Sequence, residues 1–344
     1  MSNHPFFEYQ LPDSLIAQAP ASPRDHSKLL VLNRDSKQIL DRHFYDVPNF
    51  LSADDVLVFN NTQVMPARLP AKRKTGGKVE VLLLGPVPEK GELIWEALLR
   101  PAKAIKDSEI LDIAEQTECT VLSRCSDTSF HLQFPDGTDV YQLMSELGSL
   151  PIPPYISSTL QDPAQYQSIF AEHEGSVAAP TASLHFSDSV LNALREKAVG
   201  MEYVTLHIGY GTFQPIRSQD LSQHQMHSER YFIHPETAET LAKVKAEGKR
   251  IVAVGTTVAR TLESAYIPET KSYKTGWQNT DLFIYPGYRF QSVDALISNF
   301  HLPRSSLLYL VSAFASENDM ATAYEHAMQS SYRFYSFGDA MLIL

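Results

Sequence analysis

The chain has 344 residues, a formal net charge of −11 at pH 7, 43% hydrophobic residues and 20% charged residues. The length favours two domains over one, and the composition is typical of a soluble globular protein. The negative charge argues against broad, non-specific binding of nucleic acid, which needs a basic surface, but it permits a local basic patch.

Short strands dominate the first part of the chain. Apolar runs at 29–32 and 55–59 predict two strands. Four further strand-like runs follow at 78–84, 94–99, 119–123 and 129–134. Glycine and proline turns separate these four runs, and such regular spacing predicts a small all-β sheet or barrel. Because the first two strands have no obvious β partner of their own, we expect the barrel to be an insertion at residues 65–150.

The remainder of the chain alternates helical and strand patterns. Three prolines between 151 and 154 mark an extended boundary, since proline interrupts both helices and central strands. Helical spacing and apolar strand runs then alternate at 187–197, 201–208, 235–246, 251–254 and 258–266. This alternation predicts an α/β main domain with a mostly parallel sheet. We expect that domain to comprise residues 1–64 and 151–344.

Two glycine-bearing turns follow strands of the predicted α/β domain. In open α/β sheets, ligands bind outside the carboxyl ends of the strands, where glycine allows close backbone approach. The candidate ligand-binding residues of these turns are Gly209, Gly211, Thr212, Gly255, Thr256 and Thr257. A single Gly-x-Gly turn is weak evidence, so a purely structural role remains the alternative for each turn.

Four ionisable residues lie in polar motifs rather than at periodic core positions. They are His185, His227, Glu229 and His301, and we predict that they transfer protons, because histidine both gives and takes a proton near neutral pH. Packing or hydrogen bonding is the alternative for each histidine. His224, His227 and Glu229 also suggest a metal site, but no clear helix and no further ligand accompany them, so we expect no metal.

A run of basic residues opens the predicted barrel. It comprises Arg68, Lys72, Arg73, Lys74 and Lys78. Such cations could contact the phosphates of an RNA, and we predict this role for Arg68, Lys72, Arg73 and Lys74. The alternative is a solvated hairpin with ordinary surface charges.

The sequence also bears on the cellular compartment. Residues 1–9 lack the basic region and apolar run of a signal peptide, and no stretch reaches the roughly 18 apolar residues of a membrane span. Cys119 and Cys125 are too few for a disulfide framework. We therefore expect a cytoplasmic protein without a membrane partner.

Taken together, the motifs resemble one enzyme family over nearly the whole chain. The resemblance is carried by Val58-Phe59-Asn60-Asn61-Thr62, Pro66-Ala67-Arg68-Leu69, Pro151-Ile152-Pro153-Pro154-Tyr155-Ile156, Ala179-Pro180-Thr181-Ala182, Thr205-Leu206-His207, Met226-His227-Ser228-Glu229, Gly255-Thr256-Thr257 and Asn299-Phe300-His301-Leu302-Pro303. These motifs, in this order, resemble the S-adenosylmethionine:tRNA ribosyltransferase-isomerase family of queuosine biosynthesis.

The resemblance implies a fold and a reaction. The fold is an α/β domain that carries an inserted β-barrel. The reaction transfers and isomerises the ribosyl moiety of S-adenosylmethionine onto 7-aminomethyl-7-deazaguanine in tRNA, and it yields epoxyqueuosine-tRNA, adenine and methionine. The implied partners are that tRNA and S-adenosylmethionine, which is a cosubstrate, and no metal or redox cofactor is implied. We expect a monomer.

Three alternatives to this function remain open. Lys28, Gln63 and Ser183 stand where the family usually has arginine, arginine and glycine, so a paralogue could use S-adenosylmethionine on a different nucleic-acid or small-molecule substrate. A non-catalytic RNA-binding module would release no adenine. A methyltransferase would yield S-adenosylhomocysteine in place of adenine and methionine.

Overall fold

The computed structural model describes residues 5–158, 160, 162–209, 216, 221–224 and 226–344. They form two compact units. One comprises the described residues of Met1–Thr62, Pro154–His173 and Ala179–Leu344, and the other comprises Gln63–Pro153 and Glu174–Ala178. We refer to them as the main unit and the barrel unit. The return segment 174–178 in the barrel unit has no counterpart in the boundaries expected from the sequence.

The first four strands include three that are largely buried and one, at Ile39–His43, that has no buried residue. The strands are β1 (Lys28–Leu32), β2 (Ile39–His43), β3 (Asp55–Asn60) and β4 (Thr62–Val64). All six residues of β3 are buried, as expected for a strand covered on both faces of a sheet.

A closed six-stranded barrel forms the core of the barrel unit. Its strands are β5 (Arg68–Arg73), β6 (Lys78–Pro86), β7 (Ile94–Arg100), β8 (Ile110–Ile113), β9 (Thr117–Arg124) and β10 (Ser129–Gln133). They close in the order β10-β7-β6-β5-β8-β9, with antiparallel neighbours throughout. Leu69, Ala71, Val79 and Val81 are buried at alternate positions, the pattern that fills a small barrel. The sequence-based prediction of a barrel is confirmed.

Helices and strands alternate through the rest of the chain. The helices are α1 (Val140–Leu147), α2 (Asp188–Glu196), α3 (Pro235–Ala246), α4 (Thr256–Ala265), α5 (Ser306–Phe314) and α6 (Glu317–Gln329). The strands are β11 (His173–Ser176), β12 (Gly200–Leu206), β13 (Glu229–Ile233), β14 (Arg250–Val254), β15 (Tyr266–Ile267), β16 (Ser272–Tyr273), β17 (Gly276–Thr280), β18 (Ala295–Asn299) and β19 (Ala340–Ile343).

The large sheet of the main unit is mixed, with the strand order β17-β13-β12-β3-β14-β18-β19-β1-β2. The central strands β12, β3, β14 and β18 are parallel, and β19 is parallel to β1. The other four pairings are antiparallel. The prediction of a mostly parallel sheet therefore applies only to the centre. A parallel neighbour needs a long crossover, usually helical, whereas β1 and β2 are joined by a short turn and must run antiparallel.

The sheet positions four carboxyl strand ends along one edge. One face of the central strands packs on apolar residues of α2, including Val190, Leu191 and Leu194. In the parallel centre, β12, β3, β14 and β18 all end on the same side, which is where ligands bind in open α/β sheets. Within the described part of the chain, no helix is long and apolar enough to cross a membrane.

Candidate functional site

A cleft in the main unit lies at these carboxyl strand ends. It is lined by Ala179, Pro180, Thr181, Ala182, Ile208, Gly255, Thr256, Thr257, Ser298, Asn299, His301 and Leu307. The free volume between these residues is about 30 Å³, enough for about two water molecules. A ligand the size of a nucleoside therefore enters only if the lining residues move apart.

The N-terminus of α4 opens at this cleft. Gly255 precedes the helix with φ +97°, a conformation that side-chain-bearing residues rarely adopt, and its N–H donates to the Ile297 carbonyl at 2.8 Å. Among the described residues, no side chain caps the first turn of α4. Free backbone N–H groups at a helix start favour an electron-rich ligand group. The structure thus brings the predicted residues Gly255, Thr256 and Thr257 together in the cleft wall.

Asn60 holds the neighbouring strand ends in place. Its side-chain amide donates to the Leu206 carbonyl at 3.0 Å and to Thr257 Oγ1 at 3.4 Å. Its side-chain oxygen accepts from the Leu206 and Thr62 backbone N–H groups at 3.0 and 3.1 Å. One buried amide therefore joins the end of β3 to β12 and to α4. The sequence signal for this role was the Asn-Asn-Thr triplet directly after a strand, which we had noted only as a motif.

His185 is buried with both ring nitrogens engaged. Asn299 Nδ2 can only donate, so His185 Nε2 accepts its hydrogen bond at 3.1 Å. The proton of this imidazole is then on Nδ1, which donates to Ser27 Oγ at 2.8 Å. Burial, aided by the positive charges of Arg333 and Arg24, lowers the pKa of His185 to about 3. His185 is thus a neutral residue that orients Asn299.

Asn299 was not singled out in the sequence, yet it connects His185 to the cleft. Its Oδ1 accepts from Thr181 Oγ1 at 2.9 Å, and its Nδ2 also donates to the Tyr335 carbonyl at 3.3 Å. These contacts fix which end of the amide faces which partner. The signal that could have identified it is a polar side chain at the end of a largely apolar strand, two residues before His301.

His301 lines the cleft itself. Its Nε2 shares a 2.7 Å hydrogen bond with Ser298 Oγ, and its backbone N–H donates to the Tyr324 hydroxyl at 2.9 Å. Burial lowers the pKa of His301 to about 3. Within the described residues Nδ1 has no hydrogen-bond partner, so it is a proton acceptor or donor according to the direction of the Ser298 hydroxyl bond.

The other two ionisable candidates lie outside the cleft lining. His227 is exposed, just before β13. Glu229 is 4% exposed, accepts the Gly209 backbone N–H at 2.9 Å and forms an ion pair with Arg260, which is 2% exposed. Arg260 was missed in the sequence because nothing there distinguishes a buried arginine within an amphipathic helix. The predicted ligand residues Gly211 and Thr212 lie outside the described residues.

In the barrel unit, each cation predicted to bind RNA faces a carboxylate. The pairs are Arg68 with Glu80 at 4.0 Å, Lys72 with Glu115, Arg73 with Glu109 at 2.5 Å, and Lys74 with Glu118. All four acidic partners come from other parts of the barrel, on β6, β9 and the turns flanking β8. The local excess of positive charge that the linear run suggested is therefore largely cancelled.

A groove of about 860 Å³ nevertheless opens on the barrel. It is lined by Arg68, Leu69, Pro70, Ala71, Lys72, Lys78, Val79, Glu80, Arg100, Asp112, Ala114, Glu115, Leu147 and Ser149. Of the predicted cations, Arg68 and Lys72 lie in it, whereas Arg73 and Lys74 do not. Lys78 and Arg100 have no ion-pair partner within the described residues, so they are the groove cations that remain available.

Comparison with known proteins agrees with the sequence and the fold. The profile of a family described as queuosine biosynthesis protein matches residues 5–343. An S-adenosylmethionine:tRNA ribosyltransferase-isomerase from Azoarcus sp. is 49% identical over 98% of this chain and 96% of its own length. One from Staphylococcus haemolyticus is 45% identical over 98% of both chains.

A solved structure is also similar. The crystal structure of S-adenosylmethionine tRNA ribosyltransferase from Thermotoga maritima aligns with a TM-score of 0.56 and 38% identity, and it covers 98% of this chain and 100% of the other. The match covers residues of both compact units. The chain therefore belongs to the queuosine biosynthesis family of S-adenosylmethionine:tRNA ribosyltransferase-isomerases.

Proposed function

We propose that this enzyme transfers and isomerises the ribosyl moiety of S-adenosylmethionine onto 7-aminomethyl-7-deazaguanine in tRNA. The products are epoxyqueuosine-tRNA, adenine and methionine. The observation that carries the proposal is the match at 45–49% identity over 98% of the chain, and three of the shared motifs, at 179–182, 255–257 and 299–301, contribute residues to one cleft at the strand ends. The chemistry fits, because the sulfonium acidifies the adjacent ribose carbon, and the remaining steps need positioning and charge stabilisation.

In this proposal His301 is the proton-transfer residue. It is the one of the four sequence candidates that lines the cleft, and its Nδ1 is unengaged within the described residues. A neutral imidazole with a free nitrogen accepts the ribose proton or assists the departure of adenine, depending on which way the Ser298 hydroxyl bond runs.

His185 has a positioning role in this proposal. Both of its ring nitrogens are used in holding Ser27 and Asn299, so it has no free site for a substrate proton. The chain of contacts from Ser27 through His185 to Asn299 ends in the cleft wall, where Asn299 and Thr181 present a fixed polar surface. His227 and Glu229 remain predicted participants without a place in the cleft lining.

S-adenosylmethionine is proposed to bind at the start of α4. The uncapped first turn at Gly255, Thr256 and Thr257 offers backbone N–H groups to electron-rich atoms. Gly209 follows Ile208, which also lines the cleft, and its own N–H is already donated to Glu229. Gly211 and Thr212 complete the sequence-based prediction for this cosubstrate.

The barrel groove is proposed to contact the tRNA backbone. Arg68 and Lys72 lie in it together with Lys78 and Arg100, and phosphate contacts position an RNA without reading its bases. Arg73 and Lys74 were predicted to share this role, but their ion pairs with Glu109 and Glu118 compete with phosphate. Lys78 and Arg100 are therefore the stronger candidates for such contacts.

The monomeric state, the cytoplasmic location and the independence from metal and redox cofactors belong to the same proposal. Sedimentation, cell fractionation and assays in the presence of chelator test them separately. Cys119 and Cys125 are both free thiols in the structure, which is compatible with a reducing compartment.

Mass analysis of tRNA from a strain that lacks the gene tests the function in the cell. We expect 7-aminomethyl-7-deazaguanine to accumulate and epoxyqueuosine to disappear, with both reversed by the gene in trans. Unchanged levels of both nucleosides, together with loss of another modification, would instead identify a paralogue that uses S-adenosylmethionine on a different substrate.

A further inference from the structure

A buried guanidinium with unused donors lies beside the cleft. Arg260 is 2% exposed, and its Nη2 is hydrogen-bonded to Glu229 in a buried ion pair. Its Nε and Nη1 are both buried and have no hydrogen-bond partner among the described residues. Elsewhere in the main unit, the buried carboxylate of Asp55 is bonded by two nitrogens of Arg250. The incomplete bonding of Arg260 is thus a local feature that needs its own explanation.

Unused donors on a buried cation are costly, because each loses its water without gaining an acceptor. Glu229 holds the guanidinium through Nη2 alone, so the two other nitrogens stay available in a fixed orientation. Arginine cannot shed its proton to reduce this cost. The acceptor that best matches such donors is an anionic oxygen, since charge-assisted hydrogen bonds are roughly twice as strong as neutral ones.

The position of Arg260 connects it to the cleft from two sides. Thr256 lies one helical turn before Arg260 on α4 and lines the cleft. Glu229, the partner of Arg260, also accepts the Gly209 N–H, and the adjacent Ile208 lines the cleft. The guanidinium is therefore linked to the cleft lining through α4 and through Glu229.

We propose that Arg260 binds the carboxylate of the methionyl moiety of S-adenosylmethionine, and this inference rests on the proposed function. Adenine, ribose and the sulfonium carry no anionic oxygen, so the carboxylate is the one anionic group of this cosubstrate. A phosphate of the tRNA is the other possible source of such an oxygen. A group that is 2% exposed suits the end of a small ligand better than a polyanionic backbone. Glu229 then acts as a positioning residue for the guanidinium.

Calorimetric titration with two ligands tests the assignment. S-adenosylmethionine is compared with its decarboxylated analogue, which keeps the adenine, ribose and sulfonium. The main variant is the double change Arg260→Gln with Glu229→Gln, which leaves no unpaired buried charge. We expect the wild-type chain to bind S-adenosylmethionine at least about tenfold more tightly than the analogue, and the double variant to discriminate by less than about twofold.

Two further variants control for folding and for charge. Arg250→Gln removes an arginine from another buried carboxylate, at the amino end of β14, and should keep the wild-type preference. Arg260→Lys retains the charge as a compact ammonium without the rigid fork, so its preference should fall between those of the wild type and the double variant. Thermal unfolding of each variant establishes that it is folded at the temperature of the titration.

The outcomes separate this inference from the function on which it rests. A folded double variant that keeps the wild-type preference overturns the carboxylate assignment, while adenine release by the wild type would leave the function standing. An unchanged preference together with a tRNA salt slope reduced by about 0.7 to 0.9 would assign Arg260 to a phosphate and overturn the proposal as well. A wild-type chain that binds neither ligand, with or without the precursor tRNA, and that releases no adenine overturns both.

Discussion

A buried ion pair beside the cleft of the main unit and an exposed ion pair on the surface of the barrel unit use the same kinds of charged side chains in opposite surroundings. In the main unit, Glu229 and Arg260 have side chains that are 2% and 3% exposed. In the barrel, the side chains of Lys74 and Glu118 are 58% and 52% exposed. The first pair is fixed in place and cannot lose a partner without stranding a buried charge, whereas the second exchanges readily with water.

This difference shows in which part of the molecule a sequence motif indicates the role of its side chains. Near the cleft, a polar group with few possible partners has a determined orientation, as His185 has between Ser27 and Asn299, where its tautomer is fixed as well. On the barrel, a run of cations in the sequence says little about the surface, because strands from elsewhere in the chain bring carboxylates to face it. Four experiments test this contrast between the two regions, and they are ordered by the size of the expected effect.

The largest expected effect is on stability. Glu229→Gln leaves the Arg260 cation buried without its counter-ion, so the free energy of unfolding should fall by about 3 to 5 kcal/mol. Glu118→Gln breaks a solvated pair of the barrel and should leave the unfolding midpoint where it is. Chemical denaturation of both variants measures the contrast. Equal effects from the two substitutions would remove the distinction between the regions.

The second effect is on turnover. His301→Asn preserves a polar side chain of similar size but cannot transfer a proton, so the rate of adenine release should fall by about 10²-fold or more. His227→Asn changes an exposed residue outside the cleft lining, and a smaller loss is expected. Single-turnover rates at saturating ligand separate chemistry from binding. A greater loss in the His227 variant would place the proton transfer away from the cleft.

The third effect is a pH dependence of stability. The pKa of His185 is about 3 in the folded chain, below the value of about 6.5 expected when unfolded. Between these values the unfolded chain binds a proton that the folded chain does not. The contribution of neutral His185 to the free energy of unfolding is therefore complete above pH 6.5 and is lost as the pH falls towards 3. His185→Asn should make the slope of the free energy of unfolding against pH shallower by about 1.4 kcal/mol per pH unit in this range.

Denaturation curves between pH 4 and 8 test this slope. Above pH 7 His185 is neutral in both states, so the slopes of the variant and the wild type should coincide there. Identical slopes below pH 6 would mean that His185 accepts a proton in the folded chain, and the proposed tautomer would then be wrong.

The smallest effect concerns RNA. Lys78→Gln with Arg100→Gln should weaken tRNA binding and reduce the log–log salt slope by about 0.7 to 0.9 per lost phosphate contact. Lys72→Gln with Lys74→Gln should change the slope less, because both cations already face carboxylates. Binding isotherms at several salt concentrations compare the two. A larger change of the salt slope in the Lys72 and Lys74 double variant would support the sequence-based prediction that the linear basic run contacts RNA.

Much of the architecture could be predicted from sequence periodicity. Regular short strands between glycine turns indicated the barrel, and alternating helix and strand patterns indicated the parallel centre of the main sheet. Of the antiparallel pairings, that of β18 with β19 was missed because β19 is inserted between β18 and β1 from the far end of the chain. No local pattern encodes such a long-range pairing, since it depends on which sheet edge remains free.

The site could be predicted only where a motif carried its own signal. The turn at Gly255 and the histidine at 301 were identified, but Asn299 and Arg260 were not, because their importance depends on partners distant in sequence. The structure explains the lysine at position 28, where the family usually has arginine. Its ammonium donates to the Ser330 and Ser331 carbonyls at 2.8 and 3.3 Å and lies over the Tyr332 ring. Lys28 therefore caps the end of α6, which favours a structural reading of this change over a change of substrate.

The proposed reaction can be tested in a single assay. The purified chain is incubated with S-adenosylmethionine and tRNA that bears 7-aminomethyl-7-deazaguanine, and the products are quantified by mass spectrometry. The proposed function predicts adenine, methionine and an epoxide-bearing nucleoside in equal amounts, all three strongly reduced in the His301→Asn variant. Methyl transfer to the RNA, with S-adenosylhomocysteine formed and no adenine released, would contradict it.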